Sequence, residues 1–253
     1  MVSAVGAGIH AELRKLLGLR TAWVGMIVGL VGGPVLVFLN AASTRRALAD
    51  GGFGDPSNFG FHDLGIGLLG AMILGVVVVS SEYTSTGEDS PDGRQLTTTL
   101  LAMPRRHRLL VAKGIALTLV VAVQGAITAV ATLALVEVVH GGAVPAPEPV
   151  RVAGAVLYWV LLGLFAYALT LIFKNGIVTL TLLIVNSTAV SVSYLLTKVT
   201  PAAAYLPDIV GTHLFLRDVG DVDIAPVTAG LVMTAWVAAL LGLAAWLLRR
   251  REG

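Results

Sequence analysis

Apolar positions in this chain come in long unbroken blocks rather than in alternation. Six blocks of 18 to 25 residues contain no Asp, Glu, Lys, Arg or His: 21–39, 64–81, 114–136, 152–173, 175–197 and 224–248. At about 1.5 Å of rise per residue, each is long enough as a helix for the ~30 Å hydrocarbon core of a bilayer. A lipid-facing barrel strand would need only about ten residues with polar alternation, and none is present. The pattern predicts a single all-α membrane domain over residues 1–253 with six transmembrane helices. Only Lys174 separates the fourth block from the fifth, so Lys174-Asn175-Gly176 is read as a tight hairpin.

The flanks carry a second pattern. Before the first span, Val5, Ile9, Leu13, Leu16 and Leu17 recur at three- and four-residue spacing, with His10, Glu12, Arg14 and Lys15 between them. This predicts an amphipathic helix lying in the membrane interface. In the connection from Glu82 to Lys113, Ser90-Pro91 reads as a helix start, Leu96 and Leu100 lie four apart, and Pro104 ends the helix before Arg105-Arg106-His107-Arg108. Residues 198–223 are too polar to span, yet they hold apolar clusters broken by Pro201, Pro207 and Gly211.

Charge sets the expected orientation. With both termini in the cytoplasm, 12 of the 17 Lys and Arg residues fall on the inner side, and nine of the 15 acids fall outside. That is the asymmetry of the positive-inside rule. The net charge of +2 then reports topology, and no nucleic-acid partner is implied. Charged residues make up 13% of the chain, about half the share in soluble domains, which excludes a water-soluble fold. A cleaved leader is not expected, because the first block is long and follows a charged segment. With no cysteine, neither a disulfide framework nor a thiolate metal site is available.

Candidate chemistry inside the membrane is sparse. Gln124 in the third span and Asn186 in the fifth are the two amides at depth, with Thr128 near the first, and all three are candidates for a substrate pathway. Gly25, Gly29 and Gly33 lie on one face of the first span, and Gly67, Ala71 and Gly75 on one face of the second. Such small-residue stripes suit close helix packing, within the chain or at a dimer seam. Pro34 predicts a kink in the first span. An ion-coupled carrier would want an ionisable residue at midplane, and a membrane enzyme would want clustered ligands or bases. The five histidines are scattered, and Glu137 with His140 supplies two potential metal ligands without a third.

The run from His10 to Trp23, through Glu12, Lys15, Leu16 and Arg20, resembles the N-terminal signature of permease subunits of the type-2 ABC transporter family, especially actinobacterial ones. Ser81-Glu82-Tyr83, then Arg94-Gln95-Leu96-Thr97-Thr98-Thr99-Leu100, Ala102-Met103-Pro104-Arg105-Arg106 and Lys113, is similar to the loop after the second span in that family. The stretch 87–93 is longer and more acidic than the usual form. The resemblance implies a cytoplasmic coupling helix between spans two and three, short re-entrant helices before span six, and a place in the cell membrane as an exporter. It also implies docking of an ATP-binding-cassette subunit at Glu82, Arg94, Leu96, Thr97, Leu100, Met103, Pro104, Arg105 and Arg106. No phosphate-binding Gly-x-x-x-x-Gly-Lys-Ser/Thr occurs, so this chain is expected to carry no catalytic residue or cofactor. ATP and Mg would belong to two copies of the partner ATPase, beneath a homodimer or heterodimer of permeases. The apolar interior favours a hydrophobic or amphipathic drug, peptide or lipid-like cargo.

Overall fold

A computed structural model describes residues 2–50, 55–81, 106–189 and 192–250. The segment 82–105, with Glu82, Arg94, Leu96, Thr97, Leu100, Met103, Pro104 and Arg105, lies outside the described residues. So does the expected coupling helix.

Among the described residues the chain is helical throughout, with no strand. An N-terminal helix α1 (Val2–Gly18) is followed by α2 (Arg20–Asp50). Two short 3-10 turns, Pro56–Asn58 and His62–Leu64, lead into α3 (Gly65–Ser80). Then come α4 (Arg106–His140), α5 (Pro149–Phe173) and α6 (Gly176–Ile184). A π-helical turn, Val185–Ala189, separates α6 from α7 (Val192–Thr197). The short α8 (Pro207–Val210) is flanked by 3-10 turns at Pro201–Tyr205 and Gly211–Leu214, and α9 (Pro226–Arg250) ends the chain's helical part.

Five of these segments are long and apolar enough to cross a membrane: Arg20–Asp50, Pro56–Ser80, Leu109–Ala143, Pro149–Phe173 and Pro226–Leu247. This is a multi-pass membrane architecture. The expected fifth block is the exception. Its described part is a nine-residue α-helix that runs on into a π turn, and a six-residue helix beyond residues 190–191, which lie outside the described residues. Asn186-Ser187-Thr188 sits in the π turn, where short polar side chains compete with the helical ladder.

Helices α3 and α5 form the centre. α3 packs against α2 and α5, and α5 also meets α4 and α9. Trp159 and Tyr167 of α5 are among the largest fully buried side chains. Apolar side chains on the outward faces of α2, α4 and α9, such as Phe38, Val130 and Leu231, stay exposed, as suits a bundle whose solvent is lipid.

The Lys174 hairpin forms as expected. Lys174 adopts the left-handed conformation at φ 54° and donates its backbone N–H to Thr170 at 2.8 Å. Asn175 then caps α6 by accepting from the N–H groups of Ile177 at 3.0 Å and Val178 at 3.2 Å.

One boundary differs from the sequence reading. α2 continues eleven residues past Leu39, because the alanine-rich run to Asp50 contains no breaker before Gly51-Gly52. At 31 residues it is about 46 Å long, well beyond a bilayer core. It also continues through Pro34.

The N-terminal helix differs in its face. Among the described side chains, from position 6 on, the buried positions are Gly8, Glu12 and Leu16, one every fourth residue, while Ile9 and Leu13 are half-buried and Leu17 is exposed; the side chain of Val5 lies outside the described ones. Glu12, expected on the polar side of this helix, points into the protein because its partner is there.

Candidate functional site

At one end of the bundle, Glu12 of α1 meets Lys113 of α4. Nζ donates to the carboxylate at 2.8 Å, and relative exposures are 8% for Glu12 and 2% for Lys113. A small cavity beside the pair is lined by Lys15, Leu16, Val78 and Ser81. A charge this buried is tolerated only with a well-placed partner, so the pair fixes α1 against the start of α4. The elbow after α1 is held as well, since Trp23 Nε1 donates to the Leu17 carbonyl at 3.0 Å. Arg106 opens α4, so the basic corner after Pro104 runs directly into this anchored helix.

Partway along the bundle, α2 and α4 run parallel with a fixed register. Gln124 Nε2 donates to the Gly25 carbonyl at 2.9 Å and to Met26 at 3.1 Å, and Thr128 Oγ1 donates to Gly29 at 3.0 Å. Thr132, fully buried, faces Gly33. The partners 25–124, 29–128 and 33–132 share an offset of 99, so a polar stripe at four-residue spacing lies on a glycine stripe of the same spacing.

Gly25, Gly29 and Gly33 are therefore packed within the chain, against α3 and α4. A Cβ on Gly29 would sit 1.9 Å from Gln124 Nε2, and one on Gly33 would sit 2.4 Å from Thr132 Oγ1. The second stripe is filled too: Gly67 abuts Trp159, and Gly75 abuts the Gly163 carbonyl. For the same reason Gln124 and Thr128 line no open pathway here. They are buried and spend their donors on α2 carbonyls, which would otherwise remain with intrahelical partners alone.

Asn186 sits apart from them. Its Nδ2 donates to Asp208 Oδ2 of α8 at 2.8 Å, tying the π turn to the short helices before α9. Asn186 also lines an open concavity of about 640 Å³ with Ile177, Thr181, Leu182, Val185 and Val192. Tyr158 of α5 reaches the same helix, its hydroxyl donating to the Asp208 carbonyl at 3.3 Å. Of the three expected pathway residues, then, one lies on a groove and two lie in a helix seam.

The other end of the bundle is locked by Arg151, an arginine that the sequence marks only as an outer charge. Its Nε donates to Phe215 O at 2.8 Å, Nη1 to Ser57 O at 3.0 Å and Ser57 Oγ at 2.7 Å, and Nη2 to Asn58 Oδ1 at 2.5 Å. The guanidinium also lies over the Phe61 ring at 4.4 Å. Nearby, Asn40 of α2 donates to Asp63 at 2.8 Å. No sequence spacing signals Arg151 or Asp208, because their partners are 22 to 94 residues away.

Among the described residues no group of three or more His, Cys, Asp or Glu side chains is placed to hold a metal ion. No family model, curated protein or solved structure matches the chain.

Proposed function

We propose that this chain is the membrane-spanning permease subunit of an ATP-driven transporter, an exporter of hydrophobic or amphipathic compounds powered by a separate ATPase. One observation carries the reading. Glu12 and Lys113 belong to the two sequence stretches that resemble type-2 ABC permeases, and they form a buried ion pair across 101 residues. A signature split between an N-terminal helix and the end of a cytoplasmic loop has a physical reason to exist if the two must hold one another.

In this reading α1 and the start of α4 form a rigid anchor, and α4 follows segment 82–105, the docking site for the ATPase, in the chain. Force applied at Arg94, Leu96 or the Pro104-Arg105-Arg106 corner passes into α4, and through the Gln124 and Thr128 seam into α2. The two helices then move as one body, a rigid-body switch between inward- and outward-open states. The segments from Gly176 to Thr197 make a sixth crossing, both termini face the cytoplasm, and a second permease copy completes the conduit. Asn186, on the open groove, is the residue nearest to cargo.

The test is the double variant Arg105→Glu with Arg106→Glu. The expected result is loss of ATPase co-purification and of transport, with normal membrane insertion. Unchanged co-purification and transport would overturn the docking assignment.

A further inference from the structure

Where the 55–64 turns meet the 215–220 loop, a cleft of about 350 Å³ opens at the Arg151 end of the bundle. Its wall includes Phe59, Leu216 and Val219, and its polar groups include Asp55, Arg217 and Asp218. We propose that this cleft is a binding site for a small organic cation, a protonated amine carrying an apolar body.

The cleft is built before any ligand arrives. Asn58 clamps the facing loop through both of its amide atoms: Nδ2 donates to Arg217 O at 2.8 Å, and Oδ1 accepts from Arg217 N at 3.0 Å. Asp55 caps the turn below, accepting from Ser57 N at 2.8 Å. A pre-organised concave site with apolar walls and a few convergent polar groups is the general form of a small-molecule site.

Charge decides the ligand class. Arg151 spends its guanidinium on Ser57, Asn58 and Phe215. Arg217 is held by Glu148 at 2.5 Å and lies 3.9 Å from Asp55. The Arg217 charge is thus shared between two carboxylates, Glu148 and Asp55. Asp55 stays ionised, its carboxyl held below the usual range chiefly by the Ser57 backbone N–H. Asp218 makes no ion pair among the described residues, so the balance at the cleft is negative, and a cation with an apolar body complements it.

The probe is 2-phenylethylammonium, titrated into the purified full-length chain in detergent at about pH 8, where the amine is still protonated. The neutral 2-phenylethanol and the anionic 3-phenylpropionate are titrated as shape-matched controls. Saturable binding is expected for the ammonium ion alone. It should weaken about tenfold in Asp55→Asn with Asp218→Asn, whose side chains keep the cap acceptor and tolerate the left-handed φ of 54° at position 218. Val219→Trp, which fills the cleft, should abolish it without shifting the melting temperature. Binding no tighter than that of the alcohol, equal binding of the anion, or binding indifferent to these variants would overturn the site. None of these outcomes depends on whether the chain transports anything.

Discussion

Gln124 and Gly25 are joined by a 2.9 Å hydrogen bond from the amide nitrogen to a helix carbonyl, and that bond sets the register of two parallel membrane helices. The side chain fits only because position 29, one turn on, has no Cβ: a methyl there would lie 1.9 Å from Nε2. Interhelical hydrogen bonds in membranes average about 0.6 kcal/mol, so close packing matters more in this seam than the bond itself.

Gly29→Ala should therefore cost more than Gln124→Ala. Overpacking costs typically about 1–3 kcal/mol, and in a Gln124→Ala background the Gly29→Ala loss should fall by at least half. Unfolding in mixed micelles for the four members of the cycle measures this coupling. Equal losses with and without Gln124 would refute the packing argument.

The Glu12 and Lys113 pair makes a different prediction. Glu12→Gln or Lys113→Met alone breaks a buried ion pair from one side, a loss of about 3–5 kcal/mol. Glu12→Leu combined with Lys113→Met removes both charges and should recover most of the stability. If the pair also transmits force, ATPase-driven transport stays impaired in the recovered double variant. Stability and transport returning together would reduce the pair to a structural anchor.

Asn186 and Gln124 should separate by assay. Gln124→Leu acts on assembly alone, since its side chain touches α2 and no groove. Asn186→Leu should leave assembly nearly intact and change the range of compounds carried. Transport assays on protein matched for melting temperature decide this, and unchanged selectivity in Asn186→Leu would remove the groove from the pathway.

His213 provides a pH test. It is 5% exposed, Nε2 has no hydrogen-bond partner among the described residues, and burial pushes its pKa below the ordinary 6.5, against a smaller opposing pull from Asp223. Below that ordinary value the unfolded chain binds the proton more readily than the folded one. The stability tied to neutral His213 is thus present at neutral pH and lost as pH falls through the depressed folded value. His213→Leu should flatten the acid side of the melting-temperature profile. An unaltered profile would mean that other groups carry the acid dependence.

Much of the architecture was legible in the residues, because lipid imposes a length and an apolar composition on every crossing. The Lys174 hairpin was legible too, since a lone cation followed by Asn-Gly leaves few alternatives to a turn. The π turn at Asn186 was not, although its Asn-Ser-Thr run carries the signal in hindsight. The seam partners were half visible: Gly25, Gly29 and Gly33 stood out, while Gln124, Thr128 and Thr132 have the same spacing and were not matched to them. Arg151 and Asp208 were hidden because their roles come from loops distant in the chain. Glu12 was legible as part of a signature but was placed on the wrong face, because its burial depends on a lysine 101 residues away.

The central claim is that a separate motor engages segment 82–105 from the cytoplasm. A photo-crosslinking residue at Leu96, activated in native membranes and followed by mass spectrometry, tests it most directly. The permease reading predicts a cross-link to a polypeptide that carries a phosphate-binding loop. Labelling of the same position by a membrane-impermeant reagent added outside the cell, with no ATPase captured, would contradict it.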